Sequence, residues 1–217
     1  MQHSARHTAQ RPGAAPDRVL LSPRGAARRE RVEQARRWAH RYAGLGWAVT
    51  PACTGRHAWC FAPDRHPATP RWAREATADP AALDRLWDAR PSYGVIAATG
   101  PGRGMAALCA DGLRWPYVLA VLAAAGIAAP VMRLAAPHGE GPERLYVLTD
   151  EEPPPVPAGE RAGRVTAHPP HRPLPLPAAD GAGHARWVAP PTGHPLPAAR
   201  QVLDVLGALG ALTTLHP

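Results

Sequence analysis

Apolar residues recur at helical spacing from Val32 through Ala35, Trp38 and Ala39 to Tyr42, with charged residues filling most of the positions between them. That spacing predicts an amphipathic helix, opened by Ser22 as N-cap with Pro23 in the first turn and closed at Gly44 or Gly46. Its opposite face carries Arg28, Arg29, Arg31, Arg36, Arg37 and Arg41. Residues 47–52 read as a strand. Asp79 followed by Pro80 caps a second helix, which turns Leu83, Leu86 and Trp87 toward a core. Residues 94–99 and 105–110 are short apolar runs bounded by glycines, the pattern of buried strands. A helix over 115–125 stops at Gly126. Residues 131–135 and 144–148 then pair as strands across the glycine-bearing turn at 137–142. The proline-rich stretch 151–159 is a surface loop, 164–167 and 186–189 are late strands, and 197–209 is a last amphipathic helix. The elements add up to one α/β domain over residues 23–217 without internal repeats. Residues 1–22 mix His, Arg, Pro and Ala without periodicity and read as a disordered basic tail.

Composition changes this picture in few places. A chain of 217 residues is the size of one domain. Its net charge of +8 favours a polyanionic partner. All of its non-histidine basic residues are Arg, and Lys and Asn are absent, a bias that a GC-rich coding sequence would impose on any fold. The arginine face of the first helix is therefore open to two readings, a solvated surface or a stripe that contacts phosphates. An odd count of three cysteines argues against a secreted disulfide scaffold and for the cytoplasm. The longest apolar run, residues 118–132, contains Gly126 and Pro130 and falls short of the roughly 20 residues that span a bilayer. It is expected to be a buried helix, and no membrane partner is expected.

Two clusters could carry chemistry. Alternation along the strand at 105–110 sends Cys109 and Asp111 to one face. A two-metal phosphoryl-transfer site would place carboxylates at both positions, because Mg²⁺ and Mn²⁺ take oxygen ligands. A thiol at Cys109 is a poor substitute, and the plainer reading is a buried cysteine with a turn-capping aspartate before Gly112. The second cluster is Cys53, Cys60 and His66, with His57 between the cysteines. Thiolate and imidazole on a short loop can enclose a tetrahedral zinc; the alternative is a packed cysteine among surface histidines.

Taken in order, Trp38, Trp47-Ala48-Val49-Thr50-Pro51, the Cys53 to His66-Pro67 loop, Trp72 with Ala76-Thr77-Ala78-Asp79-Pro80, Gly94-Val95 with Ala98-Thr99-Gly100, the strand ending in Cys109-Ala110-Asp111, Leu145-Tyr146 and Val188-Ala189-Pro190-Pro191-Thr192 resemble the bifunctional DNA primase/polymerase N-terminal domain, in the small form found in actinobacteria. The resemblance spans about residues 30–195. It implies a prim-pol fold of the archaeo-eukaryotic primase type, a mixed sheet in which an RRM-like catalytic unit packs on an accessory α/β unit. It also implies an acidic pair on one strand, a histidine before the Leu-Tyr strand, and a third acid ahead of the Pro-Pro turn.

Each of these departs from the pattern here. Cys109 stands at the first acid and Asp111 at the second. Arg144 stands at the histidine, with His138 nearby at a different spacing. Asp180 is the candidate third acid, although an ungapped register from Pro190 falls on Ala179. In the loop, relatives carry Cys-x-Cys-x4-Cys-x5-His-Pro; Cys53, Cys60 and His66 match, Gly55 replaces the second cysteine, and His57 could supply the fourth zinc ligand.

Three functions follow from the resemblance. The chain binds single-stranded nucleic acid, DNA foremost, or a nucleoside triphosphate, with catalysis weakened or lost and Arg29, Arg36 and Arg37 contacting phosphates. Alternatively it is an active nucleotidyltransferase dependent on Mg²⁺ or Mn²⁺, or a regulatory scaffold that uses its surface alone. Relatives are often fused to a helicase, so a helicase or other replication partner is expected to act in trans.

Overall fold

A computed structural model describes residues 23–53, 66–135, 143–150, 165–170, 172–178 and 184–213. Helix α1 runs Pro23–Gly44, followed by strand β1 (Val49–Pro51), the short helix α2 (Trp72–Glu75) and helix α3 (Pro80–Ala89). Strands β2 (Val95–Ala97) and β3 (Ala106–Ala110) lead to helix α4 (Trp115–Ala124), then to β4 (Val131–Leu134) and β5 (Arg144–Thr149). The chain closes with β6 (Val165–Ala167), β7 (Leu174–Leu176), β8 (Ala185–Ala189) and helix α5 (Ala199–Thr213). The expected α/β class is observed. The strands form two sheets, β1-β2-β7 and β6-β3-β5-β4-β8, and every described pairing is antiparallel.

The central strands β3 and β5 are buried on both faces, which explains why residues 106–110 and 145–148 read as apolar runs. Met105, Ala107, Cys109, Met132, Tyr146 and Leu148 face one core, shared with Tyr42 of α1, Trp87 of α3, Val95 of β2 and Leu174 of β7. The alternate residues Leu108, Ala110, Val131, Leu145 and Val147 face a second core under Val118 and Leu122 of α4 and Val202 and Leu206 of α5. Period-two alternation thus separates the two cores residue by residue.

Local signals account for most element ends. Asp79 caps α3 by accepting hydrogen bonds from Ala81 N and Ala82 N, with Pro80 in the first turn. After α1, Gly46 adopts φ +81°, a conformation that favours glycine. The last helix begins at Ala199, two residues later than expected, because Pro197 stays outside it and its carbonyl accepts from Asp150 N instead. Strand β7 was not expected at all, since Pro175 lies in its middle. Among the described strands β7 is an outer strand paired only with β2, the position in a sheet where a proline is tolerated. Pro51 ends β1 at the opposite edge of the same sheet. The expected basic tail at 1–22, the turn at 137–142 and the loop at 151–159 lie outside the described residues.

Candidate functional site

The site is built on the ends of β3 and β5. These strands pair antiparallel with Ala110 opposite Leu145 and Cys109 opposite Tyr146, so Asp111, one residue past β3, comes beside Arg144, the first residue of β5. Arg144 Nε lies 3.6 Å from Asp111 Oδ1, an ion pair beyond hydrogen-bonding reach, and the two side chains are 62% and 53% exposed. Cys109 Sγ donates to the same Oδ1 at 3.4 Å, the shared face that alternation predicts. On the far side of β3, Thr166 of β6 pairs with Cys109. One residue beyond β6, His168 holds to the sheet through its backbone N–H to the Ala107 carbonyl.

The electrostatics of this group differ from those of a metal site. Burial pushes the Cys109 thiol up to about 12, and the neighbouring Asp111 carboxylate adds to the shift. Cys109 is therefore a neutral donor at physiological pH. The Tyr146 hydroxyl is likewise pushed up to about 12, by burial first and then by Cys109. Hydrogen bonding to Tyr146, then the charges of Tyr146 and Asp111, raise Arg144 further, so its positive charge is permanent. His168 donates from Nε2 to the Arg172 carbonyl (3.1 Å), its ring meets Tyr146 edge-on at 5.6 Å, and burial lowers its pKa. It stands as a neutral imidazole beside the site.

These donors do not fit a pair of divalent cations. Such a pair requires several anionic oxygens. Among the described residues there is one carboxylate here, with a protonated thiol and a guanidinium already beside it. Among the described residues no group of three or more His, Cys, Asp or Glu side chains could hold a metal ion. Asp180, the candidate third acid, and His138 lie outside the described residues.

The zinc ligands are split in the same way. Cys53 N donates to the His66 carbonyl at 2.8 Å, and Ala52 bridges Pro67, so the two ends of the loop meet. Cys53 is buried and His66 Nδ1 lies 3.0 Å from the Pro67 carbonyl. His57 and Cys60 lie outside the described residues.

One arginine of the α1 stripe is engaged within the chain. Arg36 Nε and Nη2 bond Asp84 Oδ1 at 2.9 and 2.6 Å, and Nη1 bonds Asp88 at 3.0 Å. It clamps α1 to α3, and His40 joins the same Asp84 oxygen at 2.9 Å. Arg29 and Arg37 are exposed. They belong to a helix packed on α3, β1 and β2, a different element from those that carry Asp111 and Arg144.

Sequence reasoning passed over Thr166 and His168. The strand period at 164–167 marked the element, but nothing local indicated that its neighbour would be β3. No helix among the described residues is long and apolar enough to cross a membrane. A family model described as bifunctional DNA primase/polymerase, N-terminal, matches residues 39–209. No curated protein and no solved structure matches the chain.

Proposed function

The chain belongs to the bifunctional DNA primase/polymerase N-terminal family, and from that premise we propose that it is a member whose cleft binds single-stranded nucleic acid or a nucleoside triphosphate while polymerisation is weakened or lost. One observation carries this reading: the carboxylate that should help hold a catalytic cation is instead ion-paired to Arg144 at 3.6 Å. Metal ions supply most of the charge stabilisation in this kind of transfer, and a paired carboxylate beside a thiol offers them little. The net charge of +8 and the exposed Arg29 and Arg37 favour a polyanionic partner.

Primer extension with purified chain, Mn²⁺ and nucleoside triphosphates tests the catalytic half. Weak or absent incorporation is expected; efficient incorporation that disappears in Asp111→Ala would restore the active reading. Binding of labelled single-stranded DNA tests the other half, with affinity expected to fall steeply as salt rises.

A structural zinc in the loop between β1 and α2 belongs to the same proposal. The meeting of Cys53 and His66 at the loop's neck supports it. Elemental analysis should find about one zinc per chain, lost in Cys53→Ser; a metal-free protein of unchanged stability would exclude it.

A further inference from the structure

We propose that Arg144 stands in for a divalent cation, binding a phosphate group of a nucleotide or of a nucleic-acid strand directly, with Asp111 as a neighbouring carboxylate that competes for the guanidinium; this rests on the reading of the cleft as a nucleic-acid or nucleotide site. The strand register makes the arrangement a fixed one. Arg144 is the first paired residue of β5, held against Leu134 on β4, and Asp111 follows the last paired residue of β3. The sheet therefore sets the backbone position of Arg144, and Asp111 sits in the turn directly after its strand ends.

The charge balance then favours an incoming anion. Two facing carboxylates repel a phosphate unless cations intervene, whereas one carboxylate and one guanidinium sum to zero. Asp111 does not saturate its partner. It faces Nε of Arg144 at 3.6 Å, and even with Tyr146 also bonded to the guanidinium, five N–H donors in a planar fork leave enough to match two phosphate oxygens. The same Asp111 oxygen also accepts from Cys109, which divides its attraction between two donors. With more than half of the Arg144 side chain exposed, a phosphate can reach the fork without a rearrangement of the sheet.

This assignment reverses the expected role of Asp111. In a metal-dependent site, removing the carboxylate removes the cation and the phosphate with it. Here its removal frees the guanidinium, so phosphate affinity is held or rises.

The test measures binding of a fluorescent nucleoside triphosphate and of a labelled single-stranded oligonucleotide to the full chain, in EDTA and in Mn²⁺. The triphosphate should bind in EDTA, weaken about tenfold or more in Arg144→Ala, weaken less in Arg144→Lys, and bind equally or up to about fivefold more tightly in Asp111→Asn. Circular dichroism checks that each variant keeps its fold, as exposed positions should. An oligonucleotide that loses affinity in parallel would extend the assignment to a nucleic-acid phosphate; one indifferent to Arg144→Ala would restrict it to the free nucleotide. Triphosphate binding only in Mn²⁺, or weakened by Asp111→Asn, overturns the role of Arg144 and leaves the binding function standing. Binding of neither probe overturns both.

Discussion

Trp187 donates its indole N–H to the Tyr42 hydroxyl at 3.1 Å, joining β8 of the five-stranded sheet to α1. The Tyr42 hydroxyl in turn donates a hydrogen bond to the Pro177 carbonyl, just beyond β7 of the other sheet. Its ring also stacks on Trp47, 5.5 Å away at 12°. One fully buried phenol thus connects three parts of the fold. Removing the hydroxyl in Tyr42→Phe leaves the indole N–H and the carbonyl without this partner, at a cost of about 1–3 kcal/mol. Urea denaturation should show that loss with oligonucleotide binding unchanged; an equally stable variant would mean the hydroxyl is dispensable to the packing.

The turn between β2 and β3 allows a sharper steric test. A Cβ built on Gly104 would lie 2.1 Å from the Gly46 carbonyl oxygen, and Gly104 itself has φ +77°. The obstacle is backbone, so no side chain can move aside. Gly104→Ala should cost about 3 kcal/mol or more from strain and overpacking together. Gly102 has a similar φ of +69° with nothing within 4 Å of its Cβ position. Gly102→Ala should therefore show the smaller, conformational part alone. Comparable losses in the two variants would contradict the close approach.

Stability should fall on the alkaline side. Folded Cys109 and Tyr146 keep their protons to about 12, whereas the ordinary values are 9.0 for a thiol and 10.0 for a phenol. Between those limits the unfolded chain binds fewer protons than the folded one, so rising pH favours unfolding. The contribution is complete below about pH 9 and is lost as pH climbs toward about 12. Denaturation midpoints compared between about pH 8 and about pH 11 should decline, and less steeply in Cys109→Ala. A wild-type profile flat over that range would show that burial does not hold these protons.

Arginines of α1 should separate into two classes. Each of Arg29 and Arg37, if it meets a phosphate, should reduce the salt slope of oligonucleotide binding by about one on change to Ala. Arg36→Ala should leave that slope unaltered and lower stability, since its guanidinium is taken up by Asp84 and Asp88. A slope reduced equally by all three would show that nucleic acid displaces the α1–α3 clamp.

Much of the fold was legible in the chain because its signals are local. The apolar spacing of α1, the Asp79-Pro80 cap of α3, and the pairing of β4 with β5 all depend on residues near one another in sequence. Strand β7 was not legible, because Pro175 argues against a strand unless its place at the sheet edge is known. Arg36 looked like its exposed neighbours, and only the packing of α1 on α3 brings it to Asp84, 48 residues away.

Residue identity and period alone determined that Cys109 and Asp111 share a face and that one carboxylate stands where a metal pair would need two. Tertiary structure decided what the lone carboxylate does. The β3–β5 register brings Arg144 to it, burial keeps Cys109 protonated, and β6 adds Thr166 and His168 alongside. Strand alternation repeats every two residues and can be read along the chain, whereas register and burial arise from segments that are distant in sequence and meet only on folding.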